Sequence, residues 1–177
     1  GQDQLKGGRG GDLLDGGDGT DTASYIDATS GVWADLARTI LSTSAGEAAG
    51  DRFVSVERLR GSNHADQLWG DAAANALWGM SGNDTIAGRG GNDILYGGLG
   101  DDRFIFALGD AADRVSDFQD NRDTLAFQGF AGVSTVQDAL AQATQSGANV
   151  VFTFGNGDAL TVLNTTLAAL TDDILIL

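Results

Sequence analysis

Residues 79–105 read GMSGNDTIA, GRGGNDILY and GGLGDDRFI, three nine-residue units in one unbroken register. Glycine holds the first and fourth places of each unit: Gly79 and Gly82, Gly88 and Gly91, Gly97 and Gly100. Aspartate holds the sixth place (Asp84, Asp93, Asp102) and a large apolar residue the eighth (Ile86, Leu95, Phe104). Six places that favour a turn, then three that favour a strand, describe a coil of short parallel strands. Two units complete one coil, so each unit lies beneath the unit two further on. Sixth-place carboxylates then stack about one strand spacing apart, ~4.8 Å. Eighth-place side chains point into the coil, and stacking buries what no single unit can bury alone.

The register extends upstream. Gly1–Lys6 fits places four to nine of the unit, and GGRGGDLLD (7–15) and GGDGTDTAS (16–24) are complete units. A chain that opens in mid-repeat is expected to be the C-terminal piece of a longer one. Residues 25–60 lose the motif but span 36 positions, four times nine, so the flanking registers agree. Within them, Gly31–Leu36 and Phe53–Leu59 have period-two character. They are expected to be strands of metal-poor coils joined by a flexible Ser42–Gly50 segment, with an inserted surface loop as the alternative. Two degenerate units follow: 61–69 has His64 at the fourth place, and 70–78 has Ala73 there and Asn75 at the sixth. Across the chain the sixth place holds Asp3, Asp12, Asp21, Asp66, Asn75, Asp84, Asp93 and Asp102.

Composition narrows the function. With 27 glycines and no proline, many backbone positions need positive φ or close approach. A net charge of −15 resists compaction unless cations neutralise it, and it argues against nucleic acid, which needs a basic footprint. No cysteine is present. No apolar run approaches the ~20 residues of a transmembrane helix. The N-terminus lacks a signal-peptide layout, so an export address would lie elsewhere.

Two stacked carboxylates repel, and a hard divalent cation between them turns repulsion into coordination. Calcium accepts six to eight oxygens in loose geometry, backbone carbonyls among them, whereas magnesium demands a tighter octahedron. A single GxGxD is usually only a flexible acidic loop. Contiguous units in register point instead to several Ca2+ ions, with metal binding and folding occurring together. The 61–78 pair is the weakest case, since neither unit has the fourth-place glycine.

After Ile105, strands are expected over 115–118, 124–127, 149–154 and 158–162 from β-branched and aromatic content. Residues 134–144 read as a short helix capped by Ser134 or Thr135. Gly155–Asp158 is a hairpin signal, and the chain ends in two acids and four aliphatics. The expected fold is therefore all-β: a right-handed parallel β-roll or β-helix over 1–105, with a small C-terminal antiparallel β cap containing one short helix over 106–177. Within the roll, 1–24 and 61–105 are the calcium repeats and 25–60 the metal-poor coils or insertion.

The units resemble the RTX nonapeptide GGxGxDxUx, a calcium-binding β-helix repeat. The resemblance covers 1–24 and 61–105. Residues 106–177 are similar to the module that follows such repeats in proteins exported by type I secretion, through Asp113–Phe118, the Gly155–Asp158 turn and the acidic-then-aliphatic terminus. It implies a C-terminal secretion signal, a type I secretion apparatus as partner during export, and folding in extracellular calcium, secreted or at the cell surface. It further implies carbonyl ligands from the first four places: Gly7, Gly16, Gly79, Ser81, Gly82, Gly88, Gly90, Gly91, Gly97, Gly98, Leu99 and Gly100. These join the sixth-place Asp3, Asp12, Asp21, Asp66, Asn75, Asp84, Asp93 and Asp102. Carried over, Asp84 pairs with Asp102, Asp66 with Asp84, Asp3 with Asp21, and Asp93 with the weaker Asn75. Asp12 meets Ser30 and is expected to have an incomplete site. The next sixth place after Asp102 is Ala111, with Asp113 displaced by two, so the regular ladder is expected to end at Asp102.

Other residues carry less. His64 is the only histidine and has no zinc partner in the sequence. Trp33, Trp69 and Trp78 could form a sugar platform, but core-edge packing is the simpler reading. Asp117, Asp120 and Asp123 with Asn121 suit a further calcium site or a solvated turn, and Asp172 and Asp173 a solvated or export-related terminus rather than an acid/base pair. No nucleophile elbow or HExxH helix is present. The fragment is read as a non-catalytic calcium-binding and secretion module. The alternative is a substrate-binding repeat module of an exported polysaccharide epimerase, protease or lipase, with a polysaccharide or cell-surface ligand.

Overall fold

A computed structural model describes residues 1–37 and 46–177. In chain order the strands are β1 (Gln4–Leu5), β2 (Leu13–Asp15), β3 (Thr22–Ser24), β4 (Trp33–Asp35), β5 (Arg52–Val54), β6 (Arg58–Arg60), β7 (Gln67–Trp69), β8 (Ala76–Ser81) and β9 (Thr85–Ala87). Next come β10 (Ile94–Leu99), β11 (Arg103–Ala107), β12 (Ala112–Val115) and β13 (Thr124–Gln128). A helix α1 (Val136–Ala141) precedes β14 (Ala143–Ser146), β15 (Asn149–Thr153), β16 (Ala159–Val162) and β17 (Ile174–Ile176).

From β6 to β13 successive strands alternate between two sheets, as a coil of nonapeptides requires. Among the described residues the larger sheet has the order β1-β3-β6-β8-β10-β12-β16-β15-β14, and the smaller β17-β13-β11-β9-β7-β4. Pairing through the repeats is parallel and in the 18-residue register of two units: Leu77 lies opposite Leu95, and Ile86 opposite both Leu68 and Phe104. Eighth-place side chains therefore stack into one core between the sheets. Leu59, Leu68, Leu77 and Ile86 are fully buried there.

The 25–60 interval is neither two plain coils nor a simple surface loop. Thr22 lies directly opposite Arg58, so 36 residues make a single rung step on the larger sheet. The surplus goes to the other side, where β4 pairs with β7 while β5 pairs separately with β2. One extra strand is thus inserted in one coil. Of the expected Ser42–Gly50 linker only 46–50 lies within the described residues, and Gly46–Ala48 forms a 3-10 turn.

The C-terminal region departs from an antiparallel cap. Strands β12 and β16 add parallel rungs to the larger sheet, and β13 and β17 to the smaller. Only β14 and β15 run antiparallel, with β15 returning on β16 through the 155–158 turn. Both sheets run past Ile105, which lies inside β11. Propensity locates strands but not partners, and each parallel partner lies a full coil away. The strand expected over 115–118 ends at Val115 because Val115 takes the inward place beside Leu95, while Phe118 packs on Phe104. Helix α1 is shorter than expected, with Thr135 as N-cap in a capping box with Asp138. An aromatic cluster including Phe106, Phe127, Phe130 and Phe154 fills the end of the core.

Leu77→Ala empties a fully enclosed place between two rungs. It should destabilise the calcium-loaded fold by about 2–5 kcal/mol, seen as a lower urea midpoint in millimolar calcium. An unchanged midpoint would contradict the stacked core.

Candidate metal centre

Turns on each edge of the roll carry a ladder of carboxylates. On the edge feeding the larger sheet, the Asp3 N–H donates to Asp21 Oδ1, the Asp21 N–H to Glu57 Oε2, and the Asn75 N–H to Asp93 Oδ1. On the other edge the Asp66 N–H donates to Asp84 Oδ1 and the Asp84 N–H to Asp102 Oδ1, at 2.8 and 2.9 Å. The structure thus brings together the four pairs taken from the 18-residue spacing.

These bonds use one oxygen of each carboxylate. Oδ2 of Asp12, Asp21, Asp84, Asp93, Asp102 and Asp113 is buried with no hydrogen-bond partner. Leaving such an atom unpaired costs about 1–3 kcal/mol, more when it is charged. All of them except Asp113 lie beside a first-place glycine. A Cβ on Gly79 would collide with both Asp84 Oδ2 and the Gly97 carbonyl oxygen, and one on Gly97 with Asp102 Oδ2. A Cβ on Gly88 would meet Asp93 Oδ2, and one on Gly16 would meet Asp21 Oδ2 and the Ser55 carbonyl. Fourth-place Gly82, Gly91 and Gly100 hold φ of 126, 110 and 149°, bringing the backbone against the turn below. Carboxylate and carbonyl oxygens around a side-chain-free space form a hard-cation donor set, and the residues present fit calcium.

The degenerate units differ. Both Asp66 oxygens are occupied, Oδ1 by the Val32 N–H and Ser62 hydroxyl and Oδ2 by the Ser62 N–H. Asn75 Oδ1 accepts from the Asp71 N–H. Neither leaves an orphaned oxygen among the described residues.

Two expectations are corrected. Asp12 does not meet Ser30: with β5 beside β2, its N–H donates to Asp51 Oδ1, whose Oδ2 accepts from the Tyr25 hydroxyl. The ladder does not end at Asp102 either. The Asp93 N–H donates to Asp113 Oδ1 and the Asp102 N–H to Asp123 Oδ1, at 2.9 and 3.0 Å, across spacings of 20 and 21 residues. Longer turns before β12 and β13 absorb the surplus, so strand pairing restores the alignment that counting by eighteen loses. Asp51, Glu57, Asp113 and Asp123 carry no signal in the nonapeptide pattern. Only their position two residues before an inward apolar residue could have marked them.

The acidic 117–123 cluster separates. Asp117 accepts from the N–H groups of Gly97 and Gly98, Asp123 joins the ladder, and Asp120 lies with Asp172 and Asp173. His64 is exposed. The tryptophans sit half-buried on the outer faces rather than at a core edge. Trp78 stacks on Tyr96, and the Arg89 guanidinium lies 5.4 Å over Trp69 while pairing with Asp35.

Burial is the leading cause that raises the ladder carboxyls. Asp84 is pushed up to about 7, with the Asp66 and Asp102 charges adding to burial. Asp123 rises to about 6, and Asp66, Asp93, Asp102 and Asp113 also rise.

A coil of parallel strands whose turns stack carboxylates around glycine-lined spaces defines a repeat protein of the β-roll class. Residues 1–23 and 69–104 match the family model of the RTX calcium-binding nonapeptide repeat in four copies. Repeats of this family bind calcium. Among solved structures, the extracellular lipase LipA from Serratia marcescens aligns with 99% of this chain at 21% identity and a TM-score of 0.47. The chain spans 38% of the lipase's length. The AlgE6R3 subunit of the Azotobacter vinelandii mannuronan C5-epimerase aligns over 64% of this chain and 78% of its own, at 23% identity and a TM-score of 0.26. No curated protein matches the sequence. No helix among the described residues is long and apolar enough to cross a membrane.

The raised carboxyls set the metal-free pH dependence. A carboxyl whose folded pKa lies above its unfolded value contributes stability that is fully present below the unfolded value near 4 and lost as pH rises through the folded one. In chelator, β structure measured by circular dichroism should therefore increase as pH falls from 8 towards 5, across the values of Asp84 and Asp123. The calcium midpoint should move to higher concentration over the same interval, because protons compete for the same oxygens. Metal-free β structure that decreases on mild acidification would contradict the burial argument.

Proposed function

We propose that this chain is a calcium-dependent folding and secretion module of a larger exported protein. The observation that carries the reading is the row of buried, unpartnered Oδ2 atoms on stacked carboxylates, those of Asp12, Asp21, Asp84, Asp93 and Asp102 each beside a first-place glycine. Calcium supplies the charge that these oxygens lack. Asp84, Asp93 and Asp102 hold ions with carbonyls of the strong repeats, while Asp12 and Asp21 serve the N-terminal units. Before loading, repulsion and the ordering cost of the glycines keep the chain expanded. Loading outside the cell, where calcium is millimolar, closes the roll. The C-terminal residues carry the type I export signal. No residue of this chain is assigned a catalytic role.

Circular dichroism with a calcium titration tests the folding step. Disorder-like spectra in chelator at pH 7.5 should convert cooperatively to β structure, and Asp84→Asn should raise the calcium midpoint several-fold. Full β structure in chelator at that pH would overturn the reading. Asp113 and Asp123 extend the ligand set beyond the repeats, so Asp113→Asn should lower the number of ions bound at saturation, counted by equilibrium dialysis. Deleting residues 165–177 should leave the protein inside cells that carry a type I apparatus, and unchanged secretion would remove the export claim.

One observation favours the second reading, a repeat module that binds the substrate of an exported enzyme. A groove crosses the outer face of the larger sheet, lined by Gln4, Thr22, Arg58, Arg60, Trp78 and Met80.

A further inference from the structure

The acids of this chain are segregated. Most lie in turns or in the ladders, whereas the outward places of β3, β6, β8, β10 and β12 hold arginine, aromatic, aliphatic and small polar side chains. Strand pairing sets Thr22 beside Arg58, Arg60 beside Trp78, and Trp78 beside Tyr96. Arg114 lies on the same row as Arg58, beyond Ala76 and Ile94. Three guanidiniums and two aromatic rings thus share one face. Arg58 and Arg60 have no ion-pair partner among the described residues, and Arg60 Nε points at Met80 Sδ, 3.3 Å away. In a chain of net charge −15, two half-buried guanidiniums without a carboxylate partner are an unspent recognition element.

The groove between them is large enough for a small molecule. Its volume is about 380 Å³, within the range of pockets that hold ligands. Tyr96 covers one side of the Trp78 indole, its ring nearly parallel at 9° and 5.6 Å away. The groove lies on the other side, towards β6 and β3. The indole is thereby held as a wall, with apolar area for the C–H face of a sugar ring. Beside it the guanidinium forks match a carboxylate bidentately.

We propose that this groove binds an acidic oligosaccharide, with Trp78 packing against a sugar ring and Arg58 and Arg60 engaging uronate carboxylates. This deepens the second reading and rests on the calcium-built roll, since the six lining residues come from four strands that only stacking brings together. Polyphosphates fit less well. Nucleic-acid binding draws on many phosphate contacts, whereas here a few guanidiniums stand between two acidic turn edges. A uronate oligomer places one carboxylate per ring and presents its apolar faces to an aromatic wall.

The test uses the whole chain in millimolar calcium, with β structure first verified by circular dichroism. Absence of that structure would sink the calcium reading and is distinguishable from failure of this one. Calorimetry and tryptophan fluorescence then follow titration with hexagalacturonate and hyaluronan hexamer, with maltohexaose as the neutral control and oligothymidine as the phosphate control. The expected result is binding of a uronate oligomer with a change in tryptophan emission, at least ten-fold stronger than maltohexaose. Arg58→Ala with Arg60→Ala should weaken it at least ten-fold without changing the calcium midpoint, and the Lys pair should restore part of the loss. Trp78→Phe should reduce affinity less than the double alanine variant. No uronate binding, equal binding of maltohexaose, indifference to the arginine variants, or tighter oligothymidine binding would each overturn the proposal.

Discussion

Everything in this molecule depends on the stacking of like charges. Parallel strands in exact two-unit register place each sixth-place residue over its counterpart, and the in-register hydrogen bonds that build the sheets also build columns of carboxylates. At an effective dielectric near 20, two unit charges about 5 Å apart repel by roughly 3 kcal/mol. Several such contacts along two edges rival the whole net stability of a small domain. The coil can therefore close only where each column has an answer to its own charge.

Two answers occur, and they divide the chain. In the middle, protein donors do the work, the Tyr25 hydroxyl on Asp51 and Ser62 on both Asp66 oxygens, while the sixth place at Asn75 carries a neutral amide whose Oδ1 accepts from the Asp71 N–H. On either side, at Asp12 and Asp21 and again at Asp84, Asp93, Asp102 and Asp113, one oxygen of each carboxylate is left buried without a partner. The glycines follow the same division. Where the fourth place is His64 or Ala73, the turns are satisfied internally; where it is Gly82, Gly91 or Gly100, the backbone adopts a positive φ that packs turn on turn. The roll thus combines a middle whose carboxylates are hydrogen-bonded by protein donors with flanks whose donor sets fit a cation.

The nine-residue period contained most of the fold, because an inward apolar residue every ninth place fixes both strand position and register. It gave the eighth-place core and the stacked pairs from Asp3–Asp21 to Asp84–Asp102. It misplaced whatever depends on turn length. Asp113 and Asp123 stack correctly after 20 and 21 residues because pairing is set by the inward Val115 and Leu125. Asp51 reaches Asp12 after 39 residues because an extra strand intervenes. In the C-terminal region a strong hairpin signal was legible, and it is real between β15 and β16. The parallel partners of β12 and β13 were not legible, since no local pattern states which distant strand will lie alongside.

The same geometry separates charge by place. Sixth-place residues face the turns, while seventh- and ninth-place residues face outward from the sheets, so acids can accumulate on the edges without entering the faces. A strongly acidic chain can consequently present arginines beside an indole. That arrangement has a thermodynamic consequence: the groove exists only when β3, β6 and β8 are stacked, and stacking requires the columns to be neutralised. A ligand that binds only the stacked state shifts the same equilibrium as calcium, and by linkage each must strengthen the apparent binding of the other. Coupling between metal and face therefore follows from the construction of the coil, without a separate switch.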